Sequence, residues 1–148
     1  MSFRHLLVAV DGSELSDQAV ARAVDLARSL GARITFFHAD PGLPGLLGGF
    51  GEQLDPNTVE LLVSASHKQG EKILAAARAQ AAAAGIDAAI GSSINPLPHE
   101  AILAAAQRCA ADLIVMASHG RRGLSALFLG SETQKVLTGS RLPVLVVR

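Results

Sequence analysis

At 148 residues the chain is long enough to bury one sizeable core and too short for two domains of ordinary size. Thirteen basic and thirteen acidic side chains cancel, so no global field draws the protein to nucleic acid or to an anionic membrane. Cys109 is the single cysteine, which excludes a disulfide framework and a cysteine-rich metal site and fits a cytoplasmic protein. Trp and Tyr are absent and Phe is scarce, leaving few platforms on which single-stranded nucleic acid could stack. No apolar run approaches the length of about 18 residues that a membrane span needs. The opening run, His5 to Val10, is also too short for a signal peptide, so a soluble protein is expected.

The first apolar run, Leu6 to Val10, predicts a strand that leaves into Asp11-Gly12-Ser13. Val20, Ala23, Val24, Ala27 and Leu30 then share one helical face, and Gly31 supplies the stop. Arg33 to Ala39 predicts a second strand. Residues 40–55 carry Pro41, Gly42, Pro44, Gly45, Gly48, Gly49 and Gly51 and read as a flexible loop. Its apolar Leu43, Leu46, Leu47 and Phe50 suit either packing on the adjacent helix or closing over a ligand. A long helix beginning near Pro56 shows its stripe at Ile73, Leu74, Ala77 and Ala81 and stops at Gly85.

Ile86 to Ser92 predicts the third strand, and the turn Asn95-Pro96-Leu97-Pro98 leads to a helix with Ile102, Leu103, Ala106 and Cys109 facing the core. Asp112 to Ala117 is the fourth strand. A helix starting at Ser131 follows, where Ser131-x-x-Gln134 matches a capping box. Pro143 to Val147 is the fifth strand, and a proline at its start places it at a sheet edge. Most of these strands are apolar at nearly every position, as strands covered on both faces are, and strand and helix alternate. The expected fold is α/β: a doubly wound parallel sheet with helices on both faces, one domain over residues 1–148.

Two segments carry polar chemistry where such a sheet binds ligands, at the carboxyl ends of its strands. Asp11 is placed to meet a ribose, an adenine amine or a bound Mg2+, and it equally suits organising the Gly12-Ser13 turn. The stretch Ala117 to Ser131 leaves a buried strand through Gly120, Gly123 and Gly130 and enters a helix at Ser131. The N–H groups of such a helix start can face a phosphate, with Ser131 and Glu132 as backbone donors. Alternatively, Ser131 is an N-cap whose hydroxyl is committed to the Gln134 N–H. Arg121 and Arg122 lie on the same loop and suit phosphate oxygens, or are simply solvated. His119 has no accompanying Ser-His-Asp spacing and no second ligating histidine, and reads as a packing or hydrogen-bonding residue of the turn. No Gly-x-x-x-x-Gly-Lys phosphate loop is present. The third strand ends at Gly91-Ser92-Ser93 with no phosphoacceptor carboxylate, which excludes a receiver domain.

Leu7-Val8-Ala9-Val10-Asp11-Gly12-Ser13, the turn Ser118-His119-Gly120-Arg121-Arg122-Gly123-Leu124, the step Leu129-Gly130-Ser131 and the closing Leu142-Pro143-Val144-Leu145-Val146-Val147 resemble the universal stress protein family, in order and along the whole chain. In the nucleotide-binding branch of that family the loop after the fourth strand reads Gly, two residues, Gly, nine residues, Gly, then Ser or Thr. This chain matches at Gly120, Gly130 and Ser131 and departs at the first position, which is Ala117.

The resemblance implies a Rossmann-like sheet of order 3-2-1-4-5, with Asp11 and the Ala117–Ser131 loop facing one crevice that holds ATP, or AMP or ADP, with Mg2+. It implies backbone contacts to the base at His38, Ala39 and Asp40, an adenosine bordered by Met116 and Ala117, and phosphates against Gly120, Gly130 and Ser131. It also implies a homodimer formed through Pro143–Val147. The expected activity is nucleotide-dependent stress signalling with at most slow hydrolysis. A nucleotide-free interaction module of the same family and a weak Mg-dependent ATPase are the alternatives; retention of Gly120, Gly130 and Ser131 argues against the former.

Overall fold

Leu6, Leu7 and Val8 occupy successive positions of one strand and are all fully buried, which is possible only if both faces of that strand are covered. A computed structural model, which describes residues 2–47, 53–120 and 128–148, shows how. The elements run β1 (His5–Ala9), α1 (Glu14–Leu30), β2 (Arg33–Asp40), α2 (Gly42–Leu47), α3 (Pro56–Ala83), β3 (Ala89–Ile94), α4 (Pro98–Arg108), β4 (Leu113–Ala117), α5 (Ser131–Gly139) and β5 (Val144–Val147). The five strands form one parallel sheet of order β3-β2-β1-β4-β5.

Alternate residues of the central strands feed two separate cores. Leu6, Val8, Ile34, Phe36, Leu113 and Val115 pack with the stripes of α1 and α3. Leu7, Phe37, Ile114 and Met116 pack with α4 and with Val136 of α5. Burying each of these larger side chains stabilises the fold by roughly 1.5–3 kcal/mol. Ser13 caps α1 by accepting the Ser16 N–H at 3.1 Å, and Gly31 ends it in the left-handed conformation at φ 65°. Asp55 caps α3 in the same way through the Thr58 N–H, with Pro56 beginning the helix.

Several strand ends shift by one or two residues from the sequence reading, and three further differences have a local cause. The 40–55 segment is not wholly loop: Asp40 still belongs to β2, and its Oδ1 accepts the Gly42 N–H at 2.9 Å to start α2. Local side-chain capping thus overrides the helix-breaking composition of that stretch. Residues 48–52 lie outside the described residues. The third strand begins at Ala89 rather than Ile86, because the Ile86 N–H is spent on Ala81 O at the end of α3 and pairing with β2 starts only at Thr35↔Ala89. The start of the last helix differs as well, since Ser131 lies inside α5 and does not cap it.

Chain order along the sheet runs one way from β1 to β3 and the other way from β4 to β5, so the reversal falls between β1 and β4. A crevice beyond the carboxyl ends of those two strands is the expected binding position in such a sheet.

Candidate functional site at the β1/β4 switch point

Asp11 leaves β1 in a turn that it builds itself. Its Oδ1 accepts the Ser13 N–H at 2.9 Å, Gly12 takes φ 77°, and its own N–H donates to Ser16 Oγ at 3.1 Å. One carboxylate oxygen thus organises the turn, and the other, Oδ2, lies beside Gly120 across the switch point. A Cβ on Gly120 would collide with that oxygen.

The loop after β4 is closed at its base. Gly130 N donates to Ser118 O at 2.6 Å, Thr133 Oγ1 donates to Ala117 O at 2.9 Å, and Ser118 N donates to Val147 O at 2.8 Å. At Gly130 a Cβ would stand 3.0 Å from Ser118 O and 3.1 Å from His119 Cα, both backbone atoms with little room to give. Glycine lets the two backbones approach this closely without either giving way, before any ligand is considered.

That close approach also moves the helix start. Gly130, extended at φ −60° and ψ 149°, is the N-cap; it makes no side-chain cap bond, and Ser131 is already the first helical residue. The predicted capping box does not form: the Gln134 N–H goes to Gly130 O, and its side-chain amide donates to Leu129 O at 2.9 Å. The Ser131 hydroxyl is thereby released from the Gln134 N–H. The first-turn N–H groups of Ser131 to Thr133 have no carbonyl of a preceding turn to bond and sit at the positive end of the helix dipole.

These elements enclose a cleft of about 610 Å³, within the range of small-molecule sites. Asp11, His38, Ala39, Met116, Ala117, Gly120, Gly130, Ser131 and Glu132 all line it. Phe37 and Ile102 add to its apolar wall, and Pro41, Gly45 and Leu46 bring α2 to its rim.

The arrangement is matched by sequence. The profile described as the universal stress protein family matches residues 2–148. The chain belongs to the universal stress protein family. Among the relatives of this universal stress protein, a Thermus aquaticus protein named "Universal stress protein in QAH/OAS sulfhydrylase 3'region" is 38% identical over 146 residues, covering 99% of both chains. Among solved structures, the universal stress protein UspA of Lactobacillus plantarum shares the fold with a TM-score of 0.80 at 20% identity, over 100% of this chain and 99% of that one. A universal stress protein crystallised in complex with cAMP superposes with a TM-score of 0.72 at 26% identity, again over 100% and 99% of the two chains.

Not every predicted site residue of this universal stress protein turns to the cleft in the same way. His38 Nδ1 donates to Val10 O at 2.9 Å, and its ring packs beside Gly70 of α3, where a Cβ would stand 2.8 Å from Cδ2. Its side chain is thus committed to holding β2 against β1 and α3. Asp40 is buried beside α2, its Oδ1 taken by the Gly42 N–H and, at 3.4 Å, by Ser66 Oγ. Arg121 and Arg122 lie outside the described residues. Ala117 has no left-handed backbone that would demand glycine, so its departure from the family pattern adds a methyl and no backbone strain. His119 lines the cleft with Nδ1 3.2 Å from Ser118 Oγ. Among the described residues no three His, Cys, Asp or Glu side chains gather to hold a metal ion. A magnesium ion at Asp11 would therefore have to bring most of its oxygen ligands with a nucleotide.

Sequence reading missed three participants. Ser16 and Thr133 are buried hydroxyls that bond Asp11 N and Ala117 O, and in sequence nothing distinguishes them from other helical Ser and Thr residues. The third is His99 at the start of α4, whose N–H and Nδ1 both donate to Glu132 Oε2 at 2.9 Å. Lys135 Nζ holds Glu132 Oε1 at 3.2 Å. Burial pushes the Glu132 carboxyl up, but the bonds from His99 and Lys135 outweigh it and hold the group below its usual range.

Proposed function

We propose that this universal stress protein binds an adenine nucleotide, ATP with Mg2+, at the β1/β4 switch point, and that it acts as a cytoplasmic dimer signalling nucleotide occupancy. One observation carries the reading: the second Asp11 oxygen, Gly120 and the Gly130-Ser131 helix start converge on a single cleft that also has an apolar wall. The related structure in complex with cAMP supports the same ligand class.

In this reading the base lies against the backbone at His38 and Ala39, Met116 and Ala117 border the adenosine, and the Asp11 oxygen meets a ribose hydroxyl or the nucleotide's Mg2+. The phosphates take the N–H groups of Ser131 and Glu132 together with the Ser131 hydroxyl. Magnesium would neutralise phosphate charge when it arrives with the nucleotide. In this reading the cleft-facing Asp11 oxygen is occupied by the ribose or the magnesium ion and Glu132 is held by His99 and Lys135, so neither serves as the base for a water, and hydrolysis is slow. Among the described residues no helix is long and apolar enough to cross a membrane.

The dimer forms through the outer edge of β5, which among the described residues pairs only with β4 and leaves Leu145 exposed. Extracting the purified protein and identifying the nucleotide it carries tests the ligand, and an adenine nucleotide is expected. Sedimentation at tens of micromolar tests the assembly; a monomer alone would overturn the dimer.

A further inference from the structure

Two helix starts, those of α4 and α5, converge on one side of the cleft, and a single carboxylate bridges them. The N-cap of α4, Leu97, makes no side-chain cap bond. Glu132, one residue into α5, reaches across instead and accepts both the N–H and the ring N–H of His99 at 2.9 Å, while Lys135 holds its second oxygen at 3.2 Å. Its side chain keeps 35% of its exposure and lines the cleft beside Ser131. A negative charge is thus carried by the first turn of the helix whose N–H groups are best placed to receive phosphate, and it subtracts from the positive potential they create. Asp11, on the opposite side of the switch point, adds a second negative charge to the same cleft.

We infer that Glu132 is a specificity-determining charge filter at the phosphate end of the cleft. It disfavours a free polyphosphate, so that a mononucleotide binds unaided while a triphosphate binds well only when a divalent cation has neutralised part of its charge. Lys135 sets the strength of the filter by partly cancelling the carboxylate. This inference rests on the adenine-nucleotide reading of the cleft.

The test is a set of titrations of the full chain with adenosine, AMP and ATP, each in EDTA and in excess Mg2+, on the wild type, Glu132→Gln and Lys135→Met. Gln keeps an oxygen for the His99 N–H and removes the charge. The expected result is that Glu132→Gln tightens metal-free ATP by about three- to tenfold, as removal of one screened charge at close range should, and shrinks the dependence on Mg2+. Adenosine should change by less than about twofold in the same variant. Lys135→Met should move metal-free ATP the opposite way by a similar factor. A carboxylate that only held α4 against α5 would instead weaken all three ligands together in both variants. Metal-free ATP affinity that is unchanged or lower in Glu132→Gln, with adenosine still bound, overturns the filter alone. Failure of every adenine ligand to bind any of the three proteins overturns the nucleotide reading and the filter with it.

Discussion

Two carboxylates, one at each end of the central strands, differ in what their oxygens face. Asp112, before β4, accepts the Arg4 N–H at 2.8 Å with one oxygen and the His5 N–H at 3.0 Å with the other, closing the amino-terminal end of the sheet. Asp11, after β1, spends one oxygen on the Ser13 N–H and aims the other at Gly120 and the cleft. Around Asp112 the polar groups are turned inward, with His5 Nε2 on Thr35 Oγ1 at 2.8 Å. Around Asp11, by contrast, Gly120, Ser131 and the start of α5 line a crevice. The difference lies in what each carboxylate faces.

The largest break in that comparison is expected from Gly130→Arg. Its Cβ cannot be accommodated between Ser118 O and His119 Cα without moving the loop base, so nucleotide binding is lost, with a cost of about 1–3 kcal/mol in stability from the forced shift. Thermal melting and ligand titration of the variant check both, and sedimentation should still show the dimer, provided the shift stops at the Gly130–Ser118 contact and does not reach Val147, which accepts the Ser118 N–H. Asp11→Asn separates the two jobs of that residue. The amide oxygen can still accept the Ser13 N–H, so stability stays within about 1 kcal/mol, while nucleotide affinity falls roughly tenfold or more as a charged partner becomes neutral.

The reciprocal change, Asp112→Ala, leaves nucleotide affinity unaltered and lowers stability by about 1 kcal/mol, a value discounted for the solvent exposure of the carboxylate. Chemical denaturation would measure it. The smallest effect is at His5, whose pKa is pushed down by burial and then by Arg33. A neutral buried imidazole that resists protonation favours folding above its ordinary value of 6.5, and that advantage is lost as pH falls from there through the depressed folded value. Melting curves between pH 7 and 5 should show this decline, and His5→Gln should flatten it.

The fold was legible because the buried strands needed apolar residues on both faces and the helices needed stripes, and both patterns survive in a single sequence. Where the reading slipped, a local bond decided the matter. Asp40 capping Gly42 made a helix out of a Gly- and Pro-rich stretch, and Ile86 N bonding Ala81 O delayed β3. That Asp11, Gly120, Gly130 and Ser131 would come to one cleft was legible because their types and spacing follow the family pattern, although at Gly130 the approach to the Ser118–His119 backbone is itself tight. Glu132 was foreseen only as a backbone donor. Its side-chain bonds to His99 join residues 33 positions apart, and no local pattern encodes such a pair.

The central claim is that the cleft between Asp11 and the Gly130-Ser131 helix start holds an adenine nucleotide. Calorimetric titration of the full chain with ATP and Mg2+, run beside Gly130→Arg and repeated with displacement of a fluorescent ATP analogue, tests it most directly. Saturable binding to the wild type that is absent from the variant is the predicted result. No heat and no displacement at millimolar ligand would contradict it.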